Sequence, residues 1–457
     1  MNPNRIHKNL QRCIKSQTSQ VDTLSFFNLL TSPELFSTIE ALQPDYRERK
    51  FPPTETLSMF LSQAMSADRS CQNIVNTVAV QRCVCGLSPN STYTGSYYKA
   101  RQRLPISMVS ELVRCTSQLI TQRVPMAWCW QGRPVRLIDG TTVTMPDTPE
   151  NQAAYPQQGG QKPGLGFPIC RVVGIICLGS GSVVDAAIGP FKGKGADEHT
   201  LLRSMLDSFE AGDIVVGDAY FSTYFLLAEL MNRGVDAVFE QSGGRRRKTD
   251  FRKGQKLGPT DHLVTYQKPV KKPDWMTDDY YQSSPDELTI RELKVGHKIL
   301  STTFLSPREV SKQSVKELYK DRWQVELDFR NIKTTMGMET FSCKSPEMVQ
   351  KEMWVYLLAY NLIRLIMAQS AILANILPRD ISFKHSLQIW LAYRQLGSNN
   401  DDDLSTVFLL IAENTVGKRP GRIEPRQVKR RPKEYRLLTK PRHIARAEVL
   451  RYGHPKR

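Results

Sequence analysis

The sequence predicts a mixed α/β protein with a helical domain in front, a β-rich segment inserted in the middle and a helical, basic region at the C-terminal side. Three observations predict it. From Thr23 to about Arg123 apolar residues recur at three- and four-residue steps, as in Phe26, Leu29 and Leu30 and again in Leu57, Phe60 and Leu61. From Arg133 the pattern changes to short β-forming runs separated by turn residues and then by helical stretches. Helical periodicity returns at Ser314 and persists to about Ala412. The divisions that follow are 1–125, 126–242, 243–313, 314–417 and 418–457.

Taken in order, the first segment holds a helical stretch near Cys71–Cys83, a breaker cluster at Gly86, Ser88, Pro89 and Asn90, and then Tyr97, Tyr98, Lys99, Arg101 and Arg103 before Pro105. This pattern suits a helix-turn-helix with a basic, aromatic second helix, and equally an ordinary helical hairpin with a solvated basic face. Strands are expected at Val135–Ile138, Ile169–Leu178, Val183–Ile188, Ile214–Val216 and Asp236–Phe239, with helices at Thr200–Phe209 and Ser222–Asn232. The segment from Gly243 to Pro307 opens with Arg245, Arg246, Arg247 and Lys248 and reads as a mostly β insertion with a basic edge. Lys418–Arg457 is rich in cations and breakers and reads as an extended tail.

Composition narrows the function. Among 457 residues, 63 Lys and Arg oppose 45 Asp and Glu, a formal net charge of +18. The excess sits at the two ends, with 14 basic and 8 acidic residues in 1–125 and 15 against 3 in 418–457, so that the middle is neutral. Two basic ends around a balanced core suit a protein that holds a polyanion against a working domain, and nucleic acid is the leading polyanion. Nine cysteines without a C-x-x-C pair exclude a zinc ribbon and argue against a disulfide framework. The N-terminus lacks the apolar core of a signal peptide, and the apolar stretch Met353–Leu377 is broken by Asn361, Arg364 and Gln369, so it reads as a core helix. The seven histidines show no ligand spacing.

Three carboxylates stand out by context. Asp139 follows the run Val135–Ile138 and precedes Gly140-Thr141-Thr142, which places it near the middle of a first strand. Asp218 follows Ile214–Gly217 and precedes Ala219-Tyr220-Phe221, at the end of a later strand. A hairpin turn and a helix cap are the bland alternatives. Tyr319, Arg322, Glu326 and Lys333 lie at offsets of 0, 3, 7 and 14, and at 100° per residue they share an arc of roughly 60° on one helix. Trp323, Leu327 and Phe329 flank this stripe, which suits the wall of a cleft.

These residues resemble a known family. The spacing of Tyr319, Arg322, Glu326 and Lys333 is similar to the YREK signature of the DDE transposases of bacterial insertion sequences, in the insertion sequence four branch. The blocks around Asp139 and Asp218 occur in the family's order, and the likeness extends through the loop Tyr155–Pro168 and the basic stretch Glu424–Arg442. The resemblance implies a ribonuclease H-like catalytic core interrupted by a β-rich insertion, with Asp139, Asp218 and Glu326 as catalytic, metal-binding triad. Hard oxygen donors without a histidine cluster suit Mg²⁺, with Mn²⁺ as substitute. Double-stranded DNA, both element ends and target, is the implied partner, held by Tyr319, Arg322 and Lys333, by Trp323, by Arg245, Arg246, Arg247 and Lys248, and by Lys429, Arg430 and Arg431. The implied activity is terminal-repeat binding, metal-dependent strand cleavage and strand transfer, cut-and-paste through a DNA hairpin, by a homodimer in the bacterial cytoplasm at the nucleoid, with no membrane. Trp275 is the one tryptophan of the insertion, and no local motif equates it with the family's hairpin-supporting aromatic. A nuclease that hydrolyses without joining, and a DNA-binding relative with a decayed site, are the alternatives.

Overall fold

The computed structural model describes residues 51–84, 86–193, 195–246, 248–396, 401–417 and 440–452. It starts with helices α1 (Pro53–Met65), α2 (Cys71–Val84), α3 (Thr94–Arg103) and α4 (Ile106–Arg123). Pro53 opens α1 at a position where its missing N–H costs nothing. The α2–α3 pair has the expected helix, breaker and helix order, yet Tyr97 and Arg101 are core residues. The Tyr97 hydroxyl donates to Gln63 Oε1 (2.9 Å), and the Arg101 guanidinium lies over the Phe60 ring (3.9 Å). Tyr98, Lys99 and Arg103 remain exposed.

The sheet begins with β1 (Val135–Thr144), β2 (Ile169–Cys177) and β3 (Val183–Pro190), an antiparallel meander. Helix α5 (Glu198–Arg203) follows, capped by Asp197, whose carboxylate accepts from the Thr200 amide (3.0 Å). It is shorter than the expected Thr200–Phe209 because the chain tightens into a 3₁₀ turn at Leu206–Ser208. Strand β4 (Ile214–Gly217), helix α6 (Tyr224–Asn232) and strand β5 (Asp236–Glu240) then complete a right-hand half in which β4 is parallel to both β1 and β5. The order β3-β2-β1-β4-β5 is that of a ribonuclease H-like core.

The inserted segment contributes β6 (Gln255–Gly258), β7 (Asp261–Gln267), β8 (Glu287–Val295) and β9 (Lys298–Thr302). Its last strand pairs antiparallel with β5, so the insertion prolongs the central sheet to nine strands, ordered β3-β2-β1-β4-β5-β9-β8-β7-β6. A fully buried ion pair, Arg291 Nη2 to Asp261 Oδ2 at 2.6 Å, ties β8 to β7.

Helices α7 (Lys312–Lys320) and α8 (Trp323–Arg330) replace the single helix expected from the polar stripe. A turn at Asp321–Arg322 separates them, and a π-helical segment follows at Asn331–Thr335. Wider π turns shift the register, so the phase of Lys333 against Glu326 is not that of one ideal helix. Next come α9 (Pro346–Ala374), α10 (Phe383–Leu396), α11 (Asp401–Glu413) and α12 (Arg442–Tyr452). Part of the tail expected to be extended is therefore helical. Helix α9 ends where Asn375 takes a left-handed conformation (φ 53°). It is long and apolar enough to cross a membrane, but it is buried almost all round by the fold, as expected of a core helix.

The sheet is covered on both faces. Leu137, Val172 and Ile176 face the cluster built by α4 and α9, while Ile138, Val173 and Ile175 face the cluster around α5 and α6. Alternation along β1 and β2 assigns neighbours to opposite faces, and each fully buried aliphatic side chain contributes about 1.5–3 kcal/mol.

Candidate active site

Asp139 lies midway along β1, paired across the sheet with Gly174 of β2. Its neighbour on the other side is β4, whose register against β1 runs from Val135↔Ile214 to Leu137↔Val216. Two further steps along these parallel strands bring Asp139 level with Asp218, just past the end of β4. Gly217 makes the approach possible: a Cβ there would meet Ile138 Cγ1 at 2.8 Å. Each carboxylate is steered by a local amide. Asp139 Oδ1 accepts from Gly140 N (2.8 Å) and Asp218 Oδ1 from Tyr220 N (2.8 Å).

The two acids repel one another. Burial pushes the Asp139 carboxyl up to about 6, and the negative charges of Asp218 and Glu198 add to the rise, against the opposing pull of the Gly140 amide and Arg322. Such a pair is a poor host for two bare charges and a good one for a cation between them.

Helix α8, which carries Glu326, is seated on the sheet by Phe329. Gly174 has no side chain, and a Cβ there would lie 3.1 Å from Phe329 Cζ. Glu326 Oε1 accepts from Arg322 Nη2 (2.9 Å), and Arg322 also attracts Asp139. Among the described residues no three His, Cys, Asp or Glu side chains converge closely enough to hold a metal ion. The chemistry of the donors nevertheless suits a hard divalent cation: Asp139 and Asp218 are carboxylates on adjacent parallel strands, and Glu326 pairs with Arg322, the arginine that also attracts Asp139.

The remaining stripe residues are placed as follows. The buried Tyr319 hydroxyl donates to Glu240 Oε2 (3.1 Å), which also takes Lys298 Nζ (2.6 Å). Lys333 Nζ donates to Thr141 Oγ1 (3.1 Å) and Thr142 O (2.8 Å), clamping the π-helical segment to β1 just beyond Asp139. Trp323 is 48% exposed at the start of α8, so it is not a core residue. In the insertion, Arg245 is engaged by Glu292 (2.9 Å) and lies over the Tyr266 ring (4.2 Å), while Lys248 is exposed. Arg247, Lys429, Arg430 and Arg431 lie outside the described residues, as does the side chain of Arg246.

The profile of the transposase DDE domain family matches residues 130–362, more than half of the chain and the whole span from β1 through the middle of α9. The chain belongs to the DDE transposase family. Along its length this transposase is similar to the transposase InsG for insertion sequence element IS4 of Escherichia coli strain K12. The two are 28% identical over 422 residues, covering 88% of this chain and 91% of that one. That similarity supports the insertion sequence four branch. Among solved structures it is similar to the piggyBac transposase synaptic complex with hairpin DNA, with a TM-score of 0.43 and 11% identity over 87% of this chain and 86% of that one. Transposases of this family act on DNA and generally use divalent metal ions.

Two features escaped sequence reasoning. Glu198, the first residue of α5, points its carboxylate at Gly140, where a Cβ would stand 2.5 Å from Glu198 Cδ. Arg171 pairs with it at 3.5 Å. The second is a cleft of about 320 Å³ lined by His199, Arg203, Phe225, Trp275 and Tyr280. Arg203 stacks on the Trp275 ring at 3.9 Å, and His199 Nε2 lies 2.7 Å from Tyr220 O, in the loop after Asp218. No spacing in the chain announces either one, since each forms only when distant segments meet.

Proposed function

We propose that the chain cleaves the ends of its own insertion sequence and joins them to target DNA, with Asp139, Asp218 and Glu326 as the catalytic carboxylates. The observation that carries this is the juxtaposition of Asp139 and Asp218 on adjacent parallel strands, with Glu326 and its Arg322 partner seated above by Phe329. These oxygens would hold Mg²⁺, or Mn²⁺ in its place, and an ion so held would supply activation of the attacking oxygen and charge stabilisation for the leaving one.

The chain's own groups do the rest. Asp139 and Asp218 bind as ionised carboxylates, which is why the raised Asp139 must lose its proton. Arg322 swings its fork from Glu326 to a DNA phosphate, freeing the third carboxylate. Trp323, exposed beside it, stacks on or wedges against a base at the opened end. Lys333 keeps β1 registered under α8, and Tyr319 with Lys298 and Glu240 braces the junction between α7 and the insertion.

Cut-and-paste through a DNA hairpin is the route that the Trp275 cleft favours. A base flipped from a strained hairpin needs an aromatic face with a cation near it, and Trp275 with Arg203 offers both beside the Asp218 loop. The active form is a homodimer holding both ends, acting in the bacterial cytoplasm. Purified protein is incubated with labelled duplex carrying the element's ends and a plasmid, with Mg²⁺ or with EDTA, and resolved on a denaturing gel. Mg²⁺-dependent nicks, a hairpin band and end-to-plasmid products are expected. Cutting without joined product would replace this reading with a nuclease, and binding alone with a decayed relative.

A further inference from the structure

Glu326 and Asp328 stand two residues apart on α8, about 200° around the helix, so they look out on different flanks. The Asp328 flank opens on a groove of about 730 Å³ to which neither Glu326, Arg322, Asp139 nor Asp218 contributes. Its floor is cationic in excess. The fully buried Asp328 carboxylate is shared by two guanidinium groups, with Arg364 Nη2 at 2.5 Å and Arg379 Nη1 at 2.7 and 2.8 Å from its two oxygens. One carboxylate thus faces two arginines, and among the described residues no other acid lines the groove. On the rim Arg330 and Lys384 are exposed and make no ion pair among the described residues. The groove runs to Gly417, where the sequence enters its most basic stretch, 15 Lys and Arg against 3 acids in 418–457.

We propose that this groove holds the sugar-phosphate backbone of the target DNA. The inference rests on the strand-transfer reading above. Joining brings two duplexes to one set of carboxylates, and the flank with Arg322 and Trp323 serves the element end. A second duplex needs a second cationic seat nearby, one helix diameter away on α8. The lining suits a target, which must be held whatever its sequence. Exposed Arg330 and Lys384 offer charge to phosphates, Arg364 and Arg379 being held in the network beneath them, while the one aromatic in the groove, Phe383, is buried and presents no face to a base.

The test is the full chain carrying Arg330→Gln and Lys384→Gln, two exposed positions outside the Asp328 network. Three assays are run beside wild type: binding of a plasmid without element ends across salt concentrations, nicking and gel-shift binding of terminal-repeat duplex, and joining of precut ends to the plasmid. The expected result is a salt slope for plasmid binding smaller by about two, joining reduced about tenfold, and end binding and nicking within about twofold of wild type. The charge-keeping pair Arg330→Lys and Lys384→Arg should retain joining. Unchanged slope and joining would overturn the proposal. Loss of end binding in parallel with joining would also overturn it, by assigning the groove to the element end. If wild type itself joins nothing, the strand-transfer reading fails, whereas the plasmid salt slope still reports on the groove.

Discussion

Asp139 carries a charge that its surroundings resist. Its carboxyl sits at about 6, well above its ordinary 3.8, through burial first and the neighbouring Asp218 and Glu198 next. In the metal-free protein its contribution to stability is therefore complete below about pH 4, and it is lost as pH rises through about 6. A divalent cation between the acids should reverse this at neutral pH, by about 1.4 kcal/mol at ten times its dissociation constant. Thermal melts at pH 5 and pH 7.5, with and without Mg²⁺, check it. Mg²⁺ should stabilise wild type only at the higher pH and should not stabilise Asp139→Asn, which in turn should lose less stability than metal-free wild type between the two pH values. A second expectation concerns Gly140→Ala. The new methyl meets the far end of the Glu198 side chain at 2.5 Å, which can swing away, so stability should change by no more than about 1 kcal/mol. The displaced carboxylate crowds the acidic pair, and nicking should fall about tenfold in a single-turnover assay.

Asp139 and Asp218 were legible in the sequence because a carboxylate directly after an apolar β run is costly unless it has a task. Glu198 and Glu240 were not, because helix α5 and the end of β5 reach the site only through the packing of the sheet.

At the scale of elements, α8 is the part that must be held still, and it is anchored from behind. Asp328 binds Arg364 of α9, Arg379 and the Tyr360 hydroxyl (2.9 Å) in a buried network. Removing one partner of a buried pair leaves an uncompensated charge, at about 3–5 kcal/mol. Asp328→Ala should therefore lower the chemical-denaturation midpoint strongly, and Asp328→Asn less. A midpoint equal to wild type would mean that α8 is held by apolar contacts alone.

Most strands and helices were legible from periodicity. The exceptions have physical causes. Strand β1 continues through Gly140-Thr141-Thr142, with Asp139 near its middle as expected and no hairpin turn at Asp139-Gly140, because β2 supplies a partner along its whole length. Helices α7 and α8 are split although the polar spacing suits one helix, since spacing reports phase and not the hydrogen bonds at Asp321–Arg322.

For the whole molecule, the central lesson is the sheet. The insertion was legible as β-rich, but its fusion to the core through β5 and β9 was not, since residues such as Val238 and Thr302 pair across a long stretch of chain without a local signal. The strands of the insertion are thus continuous through one sheet with β1 and β4, the strands that carry Asp139 and lead to Asp218. On the proposed function, the positive charge that the sequence concentrates at its two ends should make DNA affinity fall as salt rises.

The most direct test of the catalytic assignment is the nicking and joining assay on Asp139→Ala, Asp218→Ala and Glu326→Ala, with gel-shift binding of the same end duplex measured in parallel. Each variant should lose cleavage and joining by at least about a thousandfold while binding the ends within a fewfold of wild type. Cleavage at the wild-type rate by any one of the three would remove that residue from the active site and contradict the account.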